Sequence, residues 1–168
     1  MLHEGTTAPD FTLPGTSPTQ DETQVSEFTL ESALQRGPVI VNFYLFDFHP
    51  ECTENMCELH DLAWFDLDES ISVFGISTDR SFSHRAFAED EQLAFALLSD
   101  SDGSIADAYD VFYEEFNGHK QIAKRSVFLI DTDRTIRYAW CTEDPTVQPD
   151  WSAVKEALDQ LKTVEGTA

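Results

Sequence analysis

Three sulfur nucleophiles, Cys52, Cys57 and Cys141, are spread along a chain of 168 residues. An odd number at this spacing makes no disulfide framework, so each is either a small buried hydrophobe or a reactive group. Cys52 is the best placed for chemistry. It follows the apolar run Val39-Ile-Val-Asn-Phe-Tyr-Leu-Phe46 and opens a helical pattern. Open α/β sheets place their reactive groups at such a junction. The partial positive charge of a helix start favours a thiolate there. Glu51 and Glu54 oppose it, so the chemistry calls for a cation from elsewhere in the chain. A structural cysteine facing the core beside Met56 is the alternative that stays open at this point.

Other chemistries compete for the same residues. His49-x2-Cys52-x4-Cys57-x2-His60 carries four metal-capable side chains, for which zinc or copper comes into question. On a helix, Cys57 and His60 share a face while Cys52 points about 140° away from Cys57. A tetrahedral site would need that helix broken, and the spacing is not a common zinc pattern. His49 as base to a Cys52 nucleophile would make a Cys–His hydrolase, but no oxyanion loop or orienting carboxylate stands out. Cys-x4-Cys in place of Cys-x-x-Cys disfavours a disulfide reductase. We expect neither a metal nor a cofactor.

The elements that must hold Cys52 follow from periodicity. Residues 1–24 read as an extended, irregular opening segment. Ser26 to Gln35 reads as a short helix ended by Gly37, and Val39–Phe46 as a buried central strand. After a turn around Phe48-His49-Pro50, the stripe Cys52, Met56, Leu59, Ala63, Leu67 predicts a helix from Glu51 to about Asp66. Pro50 suits its start. Ile71–Ser77 is strand-like, Ser81–Gln92 an amphipathic helix, Leu93–Leu98 a short strand and Ser104–Tyr109 a short helix. Ser126–Ile130 and Thr135–Trp140 read as a hairpin joined by Asp131-Thr-Asp-Arg134. Pro149 to Leu161 closes the chain as a helix capped by Asp150. His84 and Arg85 read as a solvated face, and Arg80 as a loop charge. This order is an α/β sandwich with a mixed sheet. It resembles the thioredoxin fold with an insertion: a central mixed β-sheet flanked by helices, in one domain over residues 1–168.

Lys and Arg number 10 against 32 Asp and Glu, a net charge of −22. That field repels phosphate backbones and anionic lipids, which argues against nucleic-acid and membrane partners. The longest apolar stretch is far short of a membrane span. Met1-Leu-His-Glu-Gly5 has neither the basic nor the apolar region of a secretory signal, so we expect a cytoplasmic protein. The carboxylates are dispersed along the whole chain, and lysine occurs only at positions 120, 124, 155 and 162. Such a surface suits molar salt, where the Debye length is about 3 Å and self-repulsion is screened. We expect a halophile's protein.

Gly5-Thr-Thr-Ala-Pro-Asp-Phe-Thr-Leu-Pro14 resembles the N-terminal signature of peroxiredoxins of the alkyl hydroperoxide reductase and thiol-specific antioxidant type. Val39–Asp61, centred on Asp47-Phe-His-Pro-Glu-Cys-Thr53, resembles their active-site strand, loop and helix. Ser77-Thr-Asp79, Phe82-Ser-His84, Leu97-Leu-Ser-Asp100 and Lys124-Arg-Ser-Val-Phe-Leu-Ile-Asp131 follow in the family's order. The resemblance runs from Gly5 to about Trp140. It implies that Cys52 is the peroxidatic cysteine and Arg125 the arginine that stabilises its thiolate and the polarised peroxide. Cys57 stands where the bacterioferritin-comigratory subgroup often has its resolving cysteine, with Cys141 in reserve.

The family motif Pro-x-x-x-Thr(or Ser)-x-x-Cys is altered here. Leu45 occupies the Pro position, His49 the Thr position, and Asn55 stands for the usual Glu. Neutral imidazole offers one donor and one acceptor, so His49 has the groups to replace the hydroxyl, at a larger size. The resemblance implies a hydroperoxide substrate, a thioredoxin-like or low-molecular-weight thiol reductant, and a homodimer among its assemblies. A scaffold that keeps the fold with a blocked pocket is the rival reading. Residues five apart on a helix have Cα atoms about 8–9 Å apart, whereas a disulfide needs about 4.4–6.8 Å. A Cys52–Cys57 bond therefore requires the helix start to unwind.

Overall fold

A computed structural model describes residues 1–21, 23–65 and 68–166. The chain forms β1 (Thr12–Thr16), β2 (Ser26–Thr29), α1 (Leu30–Leu34), β3 (Val39–Phe43), α2 (Pro50–Phe65), β4 (Ser72–Ser77) and α3 (Ser81–Asp90). There follow β5 (Ala96–Ser99), α4 (Ser104–Ala108), β6 (Phe112–Phe116), β7 (His119–Ala123), β8 (Ser126–Ile130), β9 (Ile136–Cys141) and α5 (Trp151–Gly166). Seven strands make a mixed sheet in the order β2-β1-β5-β4-β3-β8-β9, and β6 and β7 form a separate hairpin. Strands β3, β4 and β5 are parallel; β8 joins β3 antiparallel. This is the expected thioredoxin-like architecture, a central mixed sheet flanked by helices.

Strand β3 lies at the centre and is buried along its whole length. Alternation sends Val39, Val41 and Phe43 into one apolar cluster with Leu30, Ala106, Tyr109 and Phe128. Ile40, with Tyr44 just beyond the strand, joins Cys52, Met56, Leu59, Phe87, Val154 and Leu158 in the other. Helices α1 and α4 thus cover one face, and α2, α3 and α5 the other. The stripe read from the sequence on α2 is buried at Cys52, Met56 and Leu59. Asp66 and Leu67 lie outside the described residues.

Several expectations need correction. The segment Ser26–Gln35 is not all helix: its first four residues pair with β1, and Thr29 then caps α1 by accepting from the Ser32 amide at 3.1 Å. The opening segment holds a strand, β1, that pairs with β5 as well. The β6–β7 hairpin has no counterpart among the elements expected from periodicity. Its turn is Asn117-Gly118 with φ of 51° and 82°, a dipeptide suited to a two-residue hairpin loop. The strand read as Val39–Phe46 ends at Phe43, which frees Tyr44–His49 as a loop. Elsewhere boundaries differ by a few residues, and Asp150 caps α5 as expected, accepting from Ser152 and Ala153.

Candidate active site

The site assembles where β3 ends and α2 begins. Thr53 N–H donates to the His49 carbonyl at 2.8 Å, the first bond of the helix. His49 is therefore the N-cap, Pro50 the first helical residue, and Cys52 sits in the opening turn, ahead of the hydrogen-bonded ladder. The antiparallel register sets Phe43 opposite Ser126. The residue preceding β8, Arg125, thus arrives beside the loop that follows β3.

Arg125 is the missing cation. Its Nη2 donates to Cys52 Sγ at 3.3 Å, and both residues are fully buried. Nε and Nη2 also donate to the Pro145 carbonyl, at 3.1 and 3.0 Å, which fixes the plane of the guanidinium. Nη1, equally buried, has no partner. From the same connecting segment, Gln148 Nε2 donates to the Glu51 carbonyl at 2.9 Å, tying the first turn of α2 to the approach to α5.

His49 stands at the site but does not take over the hydroxyl's contacts. Its Nδ1 lies 3.1 Å from Glu51 Oε2, outside hydrogen-bond geometry. Among the described contacts, no hydrogen bond joins its ring to Cys52. The ring packs instead on Phe46, whose ring also meets Phe116 and His119 of the β6–β7 hairpin. Leu45 is buried apolar cover. Asn55 turns to Asn42, accepting from its Nδ2 at 2.8 Å, and leaves Asn42 Oδ1 and Asn55 Nδ2 unpaired in the core.

The other two thiols face elsewhere. Cys57 Sγ donates to Glu91 Oε2 at 3.3 Å, at the end of α3. Burial first and the Glu91 carboxylate second push its thiol up to about 11. Cys141 belongs with Ala139 to the cluster beneath α1 and α4, while Trp140 and Tyr138 alternate into the cluster that holds Cys52. The sheet therefore stands between Cys141 and Cys52, and burial pushes the Cys141 thiol up. In the folded chain, Cys141 thus packs on the face of the sheet away from Cys52. The residues considered for a metal, His49, Cys52, Cys57 and His60, are not brought together. Among the described residues, no group of three or more His, Cys, Asp or Glu is arranged to hold a metal ion.

A polar network beneath the loop escaped the sequence reading. His84, expected on a solvated face, is fully buried. Its Nε2 donates to the Leu98 carbonyl at 2.9 Å, and its Nδ1 lies 2.9 and 3.0 Å from the two oxygens of Asp47. Tyr44 Oη and Ser83 Oγ donate to the same carboxylate at 2.7 and 2.8 Å. The Asp47 amide donates to Asp79 Oδ2 at 2.8 Å. Burial and the neighbouring Asp47 hold Tyr44 well above the usual phenol range, so it stays a donor. One available signal was that His84 and Phe87, three apart, share a face of α3, and Phe87 is apolar.

A thioredoxin-like sheet with an arginine-held cysteine at a helix start defines a class of thiol-reactive proteins. The AhpC/TSA family model matches residues 5–139, and the chain belongs to that family. It is 33% identical over 163 residues to a putative bcp peroxiredoxin of Coxiella burnetii, covering 95% of this chain and 99% of that protein. It is 35% identical over 149 residues to peroxiredoxin Bcp of Escherichia coli K12, covering 83% and 85%. The solved peroxidoxin BcpB of Mycobacterium tuberculosis superposes with a TM-score of 0.77 at 30% identity over 98% of this chain and 99% of that one. A reduced 2-Cys peroxiredoxin of Plasmodium vivax, at 19% identity, shares the fold with a TM-score of 0.83 over 99% and 85%.

Proposed function

We propose that this protein reduces hydrogen peroxide or an organic hydroperoxide through Cys52, with Arg125 as the stabilising cation and Cys57 as the resolving thiol. The observation that carries the reading is the guanidinium itself: one nitrogen is on the sulfur, and another is buried beside it with nothing to bond. An unpartnered buried donor is costly, and a peroxide oxygen satisfies it. The Cys52 thiolate attacks the terminal peroxide oxygen and the O–O bond breaks. The leaving oxygen, its charge met by Arg125, takes a proton and departs as water or alcohol. Cys52 is left as a sulfenic acid.

Cys57 then attacks the sulfenic sulfur, and hydroxide leaves with the thiol proton as water. A thioredoxin-like dithiol or a small thiol from outside reduces the disulfide. Two movements precede that bond. The first turn of α2 must open, because both cysteines sit within Pro50–Phe65, and Cys57 must leave Glu91. Since Cys52 is fully buried, the peroxide enters as the β6–β7 hairpin, which meets Phe46 through Phe116 and His119, shifts.

The test is mass spectrometry after one equivalent of peroxide, run beside Cys52→Ser. The expected result is a Cys52–Cys57 disulfide in the parent and no peroxide consumption in the variant. An unoxidised Cys52 would refute the reading and leave a peroxiredoxin scaffold with its pocket blocked.

A further inference from the structure

Asp47 is gripped from every side, and none of the grips is needed by the peroxide chemistry. Tyr44, Ser83 and His84 hold its carboxylate, Asp79 its amide. His84 is in turn fixed to β5 through the Leu98 carbonyl, and Asp79 to the Ser77 and Ser99 hydroxyls. Next to Asp47, the exposed Phe48 adopts a φ of 65°, a strained conformation for a bulky side chain, with its ring against Phe87. Two residues further on, α2 starts. The loop that would relax when that helix opens is the one the clamp keeps strained and closed.

We propose that His84 is a positioning residue that acts through Asp47 to hold loop 44–49, and so sets how readily the start of α2 opens. The inference rests on Cys52 and Cys57 being the reacting pair. A closed start keeps Cys52 on Arg125, where it reacts with peroxide; an open start lets it meet Cys57. Once the sulfenic acid exists, two fates compete. Cys57 displaces its oxygen as water to give the disulfide, or a second hydroperoxide transfers one oxygen to give sulfinic acid and leaves as water or the alcohol. A tight clamp prolongs the sulfenic acid and favours the second fate; a loosened clamp favours the disulfide.

The experiment compares Tyr44→Phe and Ser83→Ala, which each remove one grip, and His84→Gln, with Ile136→Ala in the opposite apolar cluster as a control for general loss of stability. Two readouts need no peroxide: deuterium exchange of residues 44–55 in the reduced protein, and closure of the Cys52–Cys57 bond by diamide, whose N=N bond accepts the two thiol hydrogens. Exchange and closure are expected to rise together, several-fold, in each clamp variant, and to stay at the parent value in Ile136→Ala. Parent-like values in Tyr44→Phe and Ser83→Ala would overturn the proposal, as would an equal rise in Ile136→Ala. Should His84→Gln not fold, the two single-grip variants decide. Failure of peroxide to oxidise Cys52 would refute the peroxidase reading alone, since neither readout uses peroxide.

Discussion

Cys57 Sγ and Glu91 Oε2 are 3.3 Å apart, with α2 supplying the thiol and the residue that ends α3 the carboxylate. The contact keeps the thiol protonated, because a thiolate there would be poorly hydrated and would face a like charge. Glu91→Gln removes the charge and leaves the burial, the larger cause. The Cys57 thiol should fall from about 11 toward the ordinary value. Disulfide closure at pH 8 should then speed up about three- to tenfold, since a thiol whose pKa drops by about one carries about ten times as much thiolate. Stopped-flow closure rates between pH 7 and 9 check this; equal rates would show that Glu91 does not hold the proton on Cys57.

Arg125 supplies the only hydrogen bond found at the Cys52 sulfur among the described residues. Removing a donor aimed at developing charge costs about 10²–10³ in rate. Arg125→Met is expected to slow peroxide oxidation of Cys52 by that order. Folding stability should fall as well, since the Pro145 carbonyl loses both its guanidinium donors. Arg125→Lys should recover little, because a point charge cannot reproduce the fork that serves carbonyl and sulfur together. Single-turnover kinetics and thermal melts separate the two effects.

At the helix cap, His49 contributes no side-chain hydrogen bond to the first-turn amides among the described residues. Threonine there accepts from the third helical amide, which is that of Cys52. His49→Thr is expected to stabilise the start of α2 by about 1 kcal/mol and to quicken the peroxide step by clearing the imidazole. A slower peroxide step in that variant would show that the imidazole itself takes part.

The buried pair Asn42–Asn55 has one bond made and one donor and one acceptor unmade. Truncating either alone leaves its partner bare, at about 1–3 kcal/mol. Replacing both with leucine should cost less than the sum, and a double-mutant cycle by urea unfolding measures the coupling.

The net charge of −22 gives a test of environment. Carboxylate repulsion is long-ranged in dilute buffer and screened in molar salt. The melting temperature should climb steeply between dilute buffer and several molar KCl. A flat profile would count against a halophile's protein.

Much of this arrangement was legible from residue order because it is local. Strand β8 begins and ends where its apolar run does, and the Cys52 helix follows from its stripe and from Pro50. Asp150 was readable as a cap from its place before the closing helix. The clamp was not legible, because Asp47 and His84 are 37 positions apart and each alone looks like a surface charge. Burial of such a pair is decided by tertiary packing, which no window of the chain contains. The β6–β7 hairpin is a different case: Asn117-Gly118 carried its signal, and only the polar strands around it hid it.

Arg125 enters the fold with β8, and β8 lies between β3 and β9. A chain halted anywhere before residue 125 has already exposed Cys52 but lacks the group that arms it. On the proposed reading, Cys52 gains its guanidinium only once β8 has paired with β3, so its reactivity would report that this long-range pairing has formed.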